Sequence, residues 1–285
     1  MRTLDTTLGV RGPWSLATSA AFWEGFAPAA LPANDGTVLT TTFRSDTDWT
    51  PVHAEVTQDG DVARIRVGGV GDLDPAAAQV ARFLSLDVDA RPWPGIAAAD
   101  PVIGRAQQAL PGLRPCGFHS PYEAAAWAVL AQRLRIVVAA RLRRDLIERH
   151  GDEGAFPAPS VLRGLDLDLP GRKAEYLHAV ADAALDGALD GGTLHHADPV
   201  RSVVDLQRIR GIGPFAAELI VLRGANAPDA VPHHEARLEA EIVEQYGPGA
   251  VLDRVAEAWR PLRTWAAVHL RALREERTRE IAGVR

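Results

Sequence analysis

Residues 206–224 have the sequence LQRIRGIGPFAAELIVLRG. Apolar residues recur at helical spacing on both sides of Gly211 and Gly213, which predicts two helices joined by a tight turn. Ile212 is expected to fill the space between the helices, and Pro214 suits a first helical position, where no amide hydrogen is needed. Backbone amides at such a turn can bind an anion, for which a phosphate group is the natural candidate. An ordinary helical turn with two glycines is the alternative.

The chain continues as DAVPHHE over residues 229–235. Other segments accompany the hairpin in order: LPGLR at 110–114, SPYEA at 120–124, AVLAQ at 128–132, FPAPS at 156–160, GRKAEYL at 171–177 and WRPLRTWAAVHL at 259–270. Together they resemble the helix-hairpin-helix DNA glycosylases of the bacterial DNA-3-methyladenine glycosylase II type, over residues from about 105 to 275. The resemblance implies a base-excision repair enzyme that acts on damaged bases in double-stranded DNA.

The start of the chain differs in pattern from the rest. Alternating or β-branched runs predict strands at Val38–Phe43, His53–Thr57 and Ala63–Val67, and helix-like runs flank them at 16–25 and 75–84. From about Asp100 onward the spacing is helical, with the longest patterns over 121–150 and 252–279. The expected fold is α+β and mainly α, with a small N-terminal mixed α/β domain at 1–92 and an all-helical glycosylase domain at 93–285.

Composition narrows the class of protein further. The chain has 285 residues, a formal net charge of −6 and one cysteine, Cys116. One cysteine excludes an internal disulfide and a four-cysteine zinc or iron–sulfur site in one chain, so no such metal is expected. The negative charge argues against coating of nucleic acid by bulk positive charge but allows a local basic surface. No apolar run resembles a signal peptide or a membrane span, which predicts a cytoplasmic protein without a membrane partner. The sequence leaves the oligomeric state open, and a monomer is the default expectation.

The resemblance also indicates a catalytic position. The family's catalytic aspartate comes six residues after the aspartate that opens the segment 229–235, and that position holds Glu235 here. Breaking an N-glycosidic bond builds positive charge on the sugar, which a nearby carboxylate stabilises, or the carboxylate aligns a water. Glu235 is the candidate for this role, on an arm about 1.5 Å longer. Two alternatives stay open: a surface residue at a helix start, or a degenerate site in a protein that only binds DNA.

A base must leave the duplex before such an enzyme can act on it, so a pocket is expected. The residues expected to line it are Phe215, Glu218, Leu219, Trp265, Arg271 and His234. Of the family's aromatic pocket positions only Phe215 stays aromatic, since the other two hold Leu219 and Arg271. An arginine repels a cationic base, so neutral lesions are better supported than 3-methyladenine or 7-methylguanine.

Contacts with the DNA backbone are expected from the hairpin, at Gly211, Ile212, Gly213, Phe215 and Ala216. The resemblance places the wedge that fills the gap left by a flipped base near the end of the first long helix. Arg133 or Leu134 is the expected wedge, and Gln132 is expected to contact the opposite strand. A plain helix surface is the alternative for each. Relatives also suggest a monovalent cation at the carbonyls of residues 206–213, and no other cofactor is expected.

Bifunctional relatives carry a lysine in the second hairpin helix that forms a Schiff base, and the matching position here holds Phe215. The single lysine, Lys173, is expected to make a surface contact instead. The resemblance therefore predicts monofunctional hydrolysis of alkylated or otherwise damaged purines. A catalytically impaired DNA-binding protein is the alternative function because of Glu235. A helical scaffold unrelated to nucleic acid is a third class, in which the hairpin glycines would have no purpose.

Overall fold

A computed structural model describes residues 1–24 and 36–279 of the chain. Its sheet has four antiparallel strands, β1 (Arg2–Gly9), β2 (Val38–Arg44), β3 (Pro51–Asp59) and β4 (Val62–Gly69), in the order β1-β4-β3-β2. The three predicted strands correspond to β2, β3 and β4. Gly60 has φ +60° beside the paired Asp59 and Val62, a conformation that glycine adopts without strain, so β3 and β4 form a tight hairpin.

Strand β1 lies outside the predicted strands. It pairs with β4 alone, at the edge of the sheet. Leu4, Thr6 and Leu8 are half-buried and alternate with exposed neighbours, so β1 has the period of two that is typical of a strand with one covered face.

Helices account for most of the remaining chain. Helices α1 (Leu16–Glu24) and α2 (Leu73–Phe83) flank the sheet, and the predicted end of α1, Gly25, lies outside the described residues. The others are α3 (Trp93–Ala99), α4 (Pro101–Ala109), α5 (Pro121–Ala131), α6 (Ile136–His150), α7 (Pro159–Gly164), α8 (Lys173–Leu185), α9 (Gly191–His196), α10 (Pro199–Leu206), α11 (Pro214–Leu219), α12 (Ala236–Tyr246), α13 (Leu252–Ala256) and α14 (Arg263–Thr278). A π-helical turn, Ile220–Gly224, extends α11, and a 3-10 turn, Glu257–Trp259, follows α13. This is the predicted mainly helical α+β fold. In the described part of the chain, no helix is long and apolar enough to cross a membrane.

Both of the longest helical patterns are broken. The pattern over 121–150 begins as expected, with the Ser120 hydroxyl accepting a hydrogen bond from a first-turn amide, but α5 and α6 are separate helices. Arg133 lies between them in the left-handed region, at φ +55°, which no helix continues through. The pattern over 252–279 is interrupted ahead of α14, where Pro261 lacks the amide hydrogen that a helix interior needs.

Three clusters of buried side chains determine where a functional site can form. One joins the sheet to α1 and α2, and a second surrounds α5 and includes Ile212 and Ala217 of the hairpin. The third joins α3 and α4 to α12 and α14, with Trp259 and Trp265 among its largest members. The hairpin and α14 thus belong to different clusters, and a groove between them can receive side chains from both.

The sheet, α1 and α2 precede residue 92, and α3 to α14 follow it. Buried side chains cross this line in both directions, because Cys116 belongs to the cluster of the sheet and Val88 to that of α14. The division into domains at 1–92 and 93–285 stays a prediction.

Acid conditions are expected to weaken the fold through His269. Its ring is buried in α14, where Nδ1 donates to the carbonyl oxygen of Trp265 at 2.8 Å, and burial lowers its pKa to about 4 from 6.5. Below pH 6.5 the unfolded chain binds a proton at this histidine and the folded state does not, so the free energy of unfolding decreases as the pH is lowered. Above pH 6.5 both states are neutral at this position, and the histidine has no effect on the pH dependence of stability. The loss between pH 7.5 and 5 is about 2 kcal/mol.

Urea unfolding of the wild type and His269→Leu at both pH values measures this contribution. The variant keeps a side chain of similar volume but has nothing to titrate at this position, so groups common to both proteins cancel. We expect its stability to drop by about 2 kcal/mol less than that of the wild type. Identical pH dependence in the two proteins would contradict the assignment.

Candidate active site

A pocket of about 90 Å³ opens in the groove between the hairpin and α14. Its lining residues are Phe215, Glu218, Leu219, Leu222, Arg223, Pro232, Glu235, Thr264, Ala267, Val268 and Arg271. The first five lie on α11 and its π-helical extension, and the last four lie on α14. Each set repeats every three or four residues, so each is one helix face. The loop before α12 contributes the other two.

Glu235 lies in the wall of this pocket, at the start of α12. Its carboxylate accepts a hydrogen bond from the amide of Arg237 at 3.3 Å, which caps the helix, and its side chain is 26% exposed. Arg271 lies on α14, and its Nε is 3.7 Å from Oε1 of Glu235. The helix start and the guanidinium both place positive potential beside this carboxylate in the pocket wall.

The loop before Glu235 is held at its end by Glu218. This buried carboxylate accepts hydrogen bonds from the amides of His233, at 3.0 Å, and His234, at 2.9 Å. It also accepts one from Nδ1 of His234 at 2.8 Å. Glu218 therefore faces the pocket while its oxygens are engaged by the loop.

The same loop is held at its beginning by α14. The Asp229 carboxylate accepts from Nε of Arg263 at 2.7 Å and from the Arg263 amide at 3.2 Å. The hydroxyl of Thr264 accepts from the amide of Ala230 at 3.0 Å and donates to its carbonyl oxygen at 3.1 Å. Because Thr264 also lines the pocket, these bonds fix the loop directly against one pocket wall.

Two arginines and two glutamates give the pocket charges of both signs. Nη2 of Arg223 donates to the carbonyl oxygen of Cys116 at 2.7 Å. Burial lowers the pKa of Arg223, and the charge of Arg271 acts in the same direction, while that of Glu235 opposes it. A ligand in the pocket would therefore meet guanidinium groups as well as carboxylates.

The two hairpin glycines differ in their surroundings. Gly211 has φ +90°, and a Cβ there would lie 2.4 Å from the ring of Tyr176. Gly213 has an extended backbone, and a Cβ there would meet nothing within 4 Å. Ile212 is buried, and its amide donates to the carbonyl oxygen of Ile209 at 3.0 Å, so this residue supports the turn from inside. The open side of the turn is at Gly213.

Comparison with known proteins identifies the family. No family model matches the chain. Over 75% of its length the chain is 30% identical to DNA-3-methyladenine glycosylase 2 of Escherichia coli (strain K12), of which it covers 79%. The chain belongs to this glycosylase family.

Solved glycosylase structures share its fold. One is the 3-methyladenine DNA-glycosylase from Archaeoglobus fulgidus, with a TM-score of 0.72 at 18% identity, covering 96% of this chain and 99% of that one. Another is the Clostridium acetobutylicum 8-oxoguanine glycosylase/lyase in complex with double-stranded DNA, with a TM-score of 0.61 at 18% identity over 83% of this chain and 88% of that one. At these identities the likeness shows the glycosylase fold alone.

The turn between α5 and α6 of this glycosylase-family chain contains the two wedge candidates and Gln132, the residue predicted to contact the opposite strand. Arg133 is exposed, Leu134 is half-buried, and Gln132 is half-buried with its amide donating to the carbonyl oxygen of Gly211 at 2.7 Å. This bond connects the turn to the hairpin, so the two candidate DNA-contacting regions form one unit.

Lys173 lies beneath this turn. It is buried, and Nζ donates to the carbonyl oxygens of Val129 at 2.8 Å and Gln132 at 2.7 Å. The prediction of a surface contact is therefore wrong. These oxygens lie at the end of α5, where helix carbonyls lack partners within the helix, and the ammonium group supplies them.

Some predicted pocket residues lie elsewhere in this glycosylase fold. Trp265 is 1% exposed and packs against Trp93, with ring centroids 5.9 Å apart, on the core side of α14. The side chain of His234 is half exposed and contacts Glu218 rather than lining the pocket. Phe215, by contrast, lines the pocket and is 48% exposed in the first turn of α11. Its neighbour Ala216 is buried.

Other pocket residues were not predicted from the glycosylase resemblance: Leu222, Arg223, Pro232, Thr264, Ala267 and Val268. The helical spacing of the sequence could have identified most of these residues. Counting three or four residues at a time from Phe215 reaches Leu222 and Arg223, and counting back from Arg271 reaches Ala267, Val268 and Thr264. Pro232 lies in the loop and has no such signal.

Proposed function

We propose that this protein is a monofunctional DNA N-glycosylase of base-excision repair, which hydrolyses the bond between deoxyribose and an alkylated or otherwise damaged purine. The observation that carries the proposal is the Glu235 carboxylate in the wall of a pocket that Phe215 and Arg271 share. No Schiff-base route is proposed, because Phe215 stands at the lysine position and the ammonium group of Lys173 is engaged by backbone carbonyls.

In the proposed mechanism the damaged nucleotide is flipped out of the duplex and its base enters the pocket. Phe215 offers an aromatic face for stacking. As the glycosidic bond breaks, positive charge develops on the sugar, and the Glu235 carboxylate stabilises it or orients the attacking water. The hairpin amides hold the DNA backbone, and Arg133 or Leu134 fills the gap in the stack. Of these two, the exposed side chain of Arg133 is the better placed.

Replacing Gly213 by leucine is expected to weaken DNA binding by at least about tenfold, for any DNA sequence. A side chain at this position has open space in the free protein but would occupy the place of a phosphate. The thermal midpoint is therefore expected to stay near that of the wild type, and fluorescence anisotropy with labelled duplex DNA measures the affinity. Gly211→Leu is the contrasting variant, because it would strike Tyr176 and is expected to destabilise the fold. Unchanged affinity in Gly213→Leu would argue against a phosphate contact at the turn.

Release of free bases from defined duplexes tests the proposed function. The panel contains 3-methyladenine, 7-methylguanine, hypoxanthine and undamaged purines, and chromatography measures the released base. We expect release of at least one damaged purine, with neutral lesions favoured because Arg223 and Arg271 line the pocket. Specific binding of damaged DNA without any release would favour the alternative of a protein that only binds.

We also propose that the protein acts as a monomer in the cytoplasm, where chromosomal DNA is accessible.

A further proposal is that carbonyl oxygens of the hairpin bind a monovalent cation. The carbonyl oxygen of Ile209 accepts from Ile212 at 3.0 Å, and that of Gly211 accepts from Gln132 at 2.7 Å. A carbonyl oxygen has two lone pairs, so each keeps one for a cation. The proposal predicts that potassium strengthens binding relative to an equal concentration of a bulky organic cation.

A further inference from the structure

Glu218 is a buried carboxylate in the wall of the pocket. Its side chain is 7% exposed, and it accepts three hydrogen bonds from two consecutive residues, His233 and His234, at 2.8 to 3.0 Å. Hydrogen bonds to an ionised acceptor are roughly twice as strong as neutral ones. Removing this buried acceptor would leave two backbone amides of the loop without their hydrogen-bond partner.

The position of this anchor along the chain matters. Between α11's extension and α12, the loop is held to α14 at its beginning, through Asp229 and Ala230. The next hydrogen-bonded anchor is Glu218, which binds the loop one residue before Glu235. The cap of α12 by Glu235 itself, at 3.3 Å, is longer than any of the three bonds to Glu218. The orientation of the Glu235 carboxylate therefore depends on where Glu218 holds the preceding backbone.

We infer that Glu218 is a positioning residue, which fixes the backbone at His233 and His234 so that the Glu235 carboxylate faces the sugar of a flipped nucleotide. The inference rests on the proposed function of Glu235. It also gives His234 a role, since its ring Nδ1–H donates the third bond to Glu218 and so holds the same anchor. Displacement of a catalytic group by about 1 Å can cost on the order of 100-fold in rate.

Glu218→Gln tests this role with a side chain of the same shape. The amide keeps one acceptor oxygen but turns an NH2 group toward N–H donors, so the anchor cannot form as it does in the wild type. We expect single-turnover base release to slow between about 10-fold and 100-fold. Affinity for a duplex with an abasic-site analogue is expected to change less than about twofold, because the DNA backbone contacts lie at the hairpin turn. His234→Ala, which keeps both backbone bonds, should slow release less than Glu218→Gln.

Glu148→Gln is the matched control, because Glu148 is an exposed glutamate near the end of α6. It makes the same chemical change without touching the loop, and we expect wild-type rates from it. If Glu218→Gln released bases as fast as Glu148→Gln, the positioning role would be refuted. It would equally be refuted if rate and affinity fell in parallel with the thermal midpoint, since general damage to the fold would then explain the loss.

Amide hydrogen exchange gives a readout that does not need activity. The amides of His233 and His234 are expected to exchange at least about tenfold faster in Glu218→Gln than in the wild type, while those of the α14 core keep their protection. Unchanged exchange at these two amides would overturn the inference even if bases are released. If the wild type releases no base, the proposed function fails, and faster exchange in the variant would still support Glu218 as the anchor of this loop.

Discussion

Glu235→Gln is expected to slow base release from damaged DNA by at least about 100-fold, because a neutral amide cannot stabilise the positive charge that develops on the sugar. The glutamine oxygen can still accept from the amide of Arg237, so the cap of α12 and the fold are expected to persist. Affinity for a duplex with an abasic-site analogue should match that of the wild type. Single-turnover kinetics and anisotropy titrations measure the two quantities on the same protein. Release at the wild-type rate would remove Glu235 from the mechanism.

Glu235→Asp separates a working glutamate from a degenerate site. The shorter side chain withdraws the carboxylate by about 1.5 Å but restores the residue that the family carries. If Glu235 works on its longer arm, with Arg271 near its carboxylate, the aspartate is misplaced and release slows by up to about 100-fold. If the wild type is inert and Glu235→Asp releases bases, the site is one that has lost its activity.

The parts of the site that follow a helical period were accessible from the sequence. The hairpin glycines, Pro214 and the apolar spacing around them predict two helices and a turn. In the structure α11 begins directly after Gly213, but α10 already ends at Leu206, five residues before Gly211. Phe215 and Leu219, four residues apart, lie on one face and line the pocket together. The spacing from Asp229 predicts Glu235 as the candidate carboxylate, and Glu235 lies in the pocket wall.

The remaining parts depend on contacts between distant segments. The aromatic ring of Trp265 favours a place in the pocket, but the face of α14 that meets the pocket passes through Val268 and Arg271, and Trp265 faces the core. Nothing in the local sequence indicates that Lys173 reaches carbonyl oxygens at the end of α5. Likewise no glycine or proline lies beside Arg133 to indicate a turn, so the sequence does not predict its left-handed conformation between α5 and α6.

Asn226 is a junction between segments that are far apart in the sequence. Its side-chain amide is 3% exposed and donates to the carbonyl oxygens of Arg82 at 2.7 Å and Pro115 at 3.1 Å, and to the hydroxyl of Ser85 at 2.7 Å. Its backbone has φ +57°, a left-handed conformation that asparagine, aspartate and glycine tolerate better than other residues. The end of α2, the segment before α5 and the loop after the hairpin therefore meet at one NH2 group.

Asn226→Asp is expected to lower the free energy of unfolding by about 4 kcal/mol at pH 7, because it turns a buried carboxylate toward oxygen atoms. Size and backbone preference hardly change, so the effect isolates the NH2 group. Asn226→Gly suits the backbone and removes the side chain, and we expect a smaller loss, of about 2 kcal/mol. Burial disfavours the charged carboxylate, so the deficit of Asn226→Asp against the wild type should shrink as pH falls toward 4, where a protonated side chain can donate one bond. Urea unfolding of the three proteins from pH 4 to 7 measures these differences. If Asn226→Asp lost no more stability than Asn226→Gly at pH 7, the hydrogen bonds from the NH2 group to the surrounding oxygens would not be what holds the three segments together.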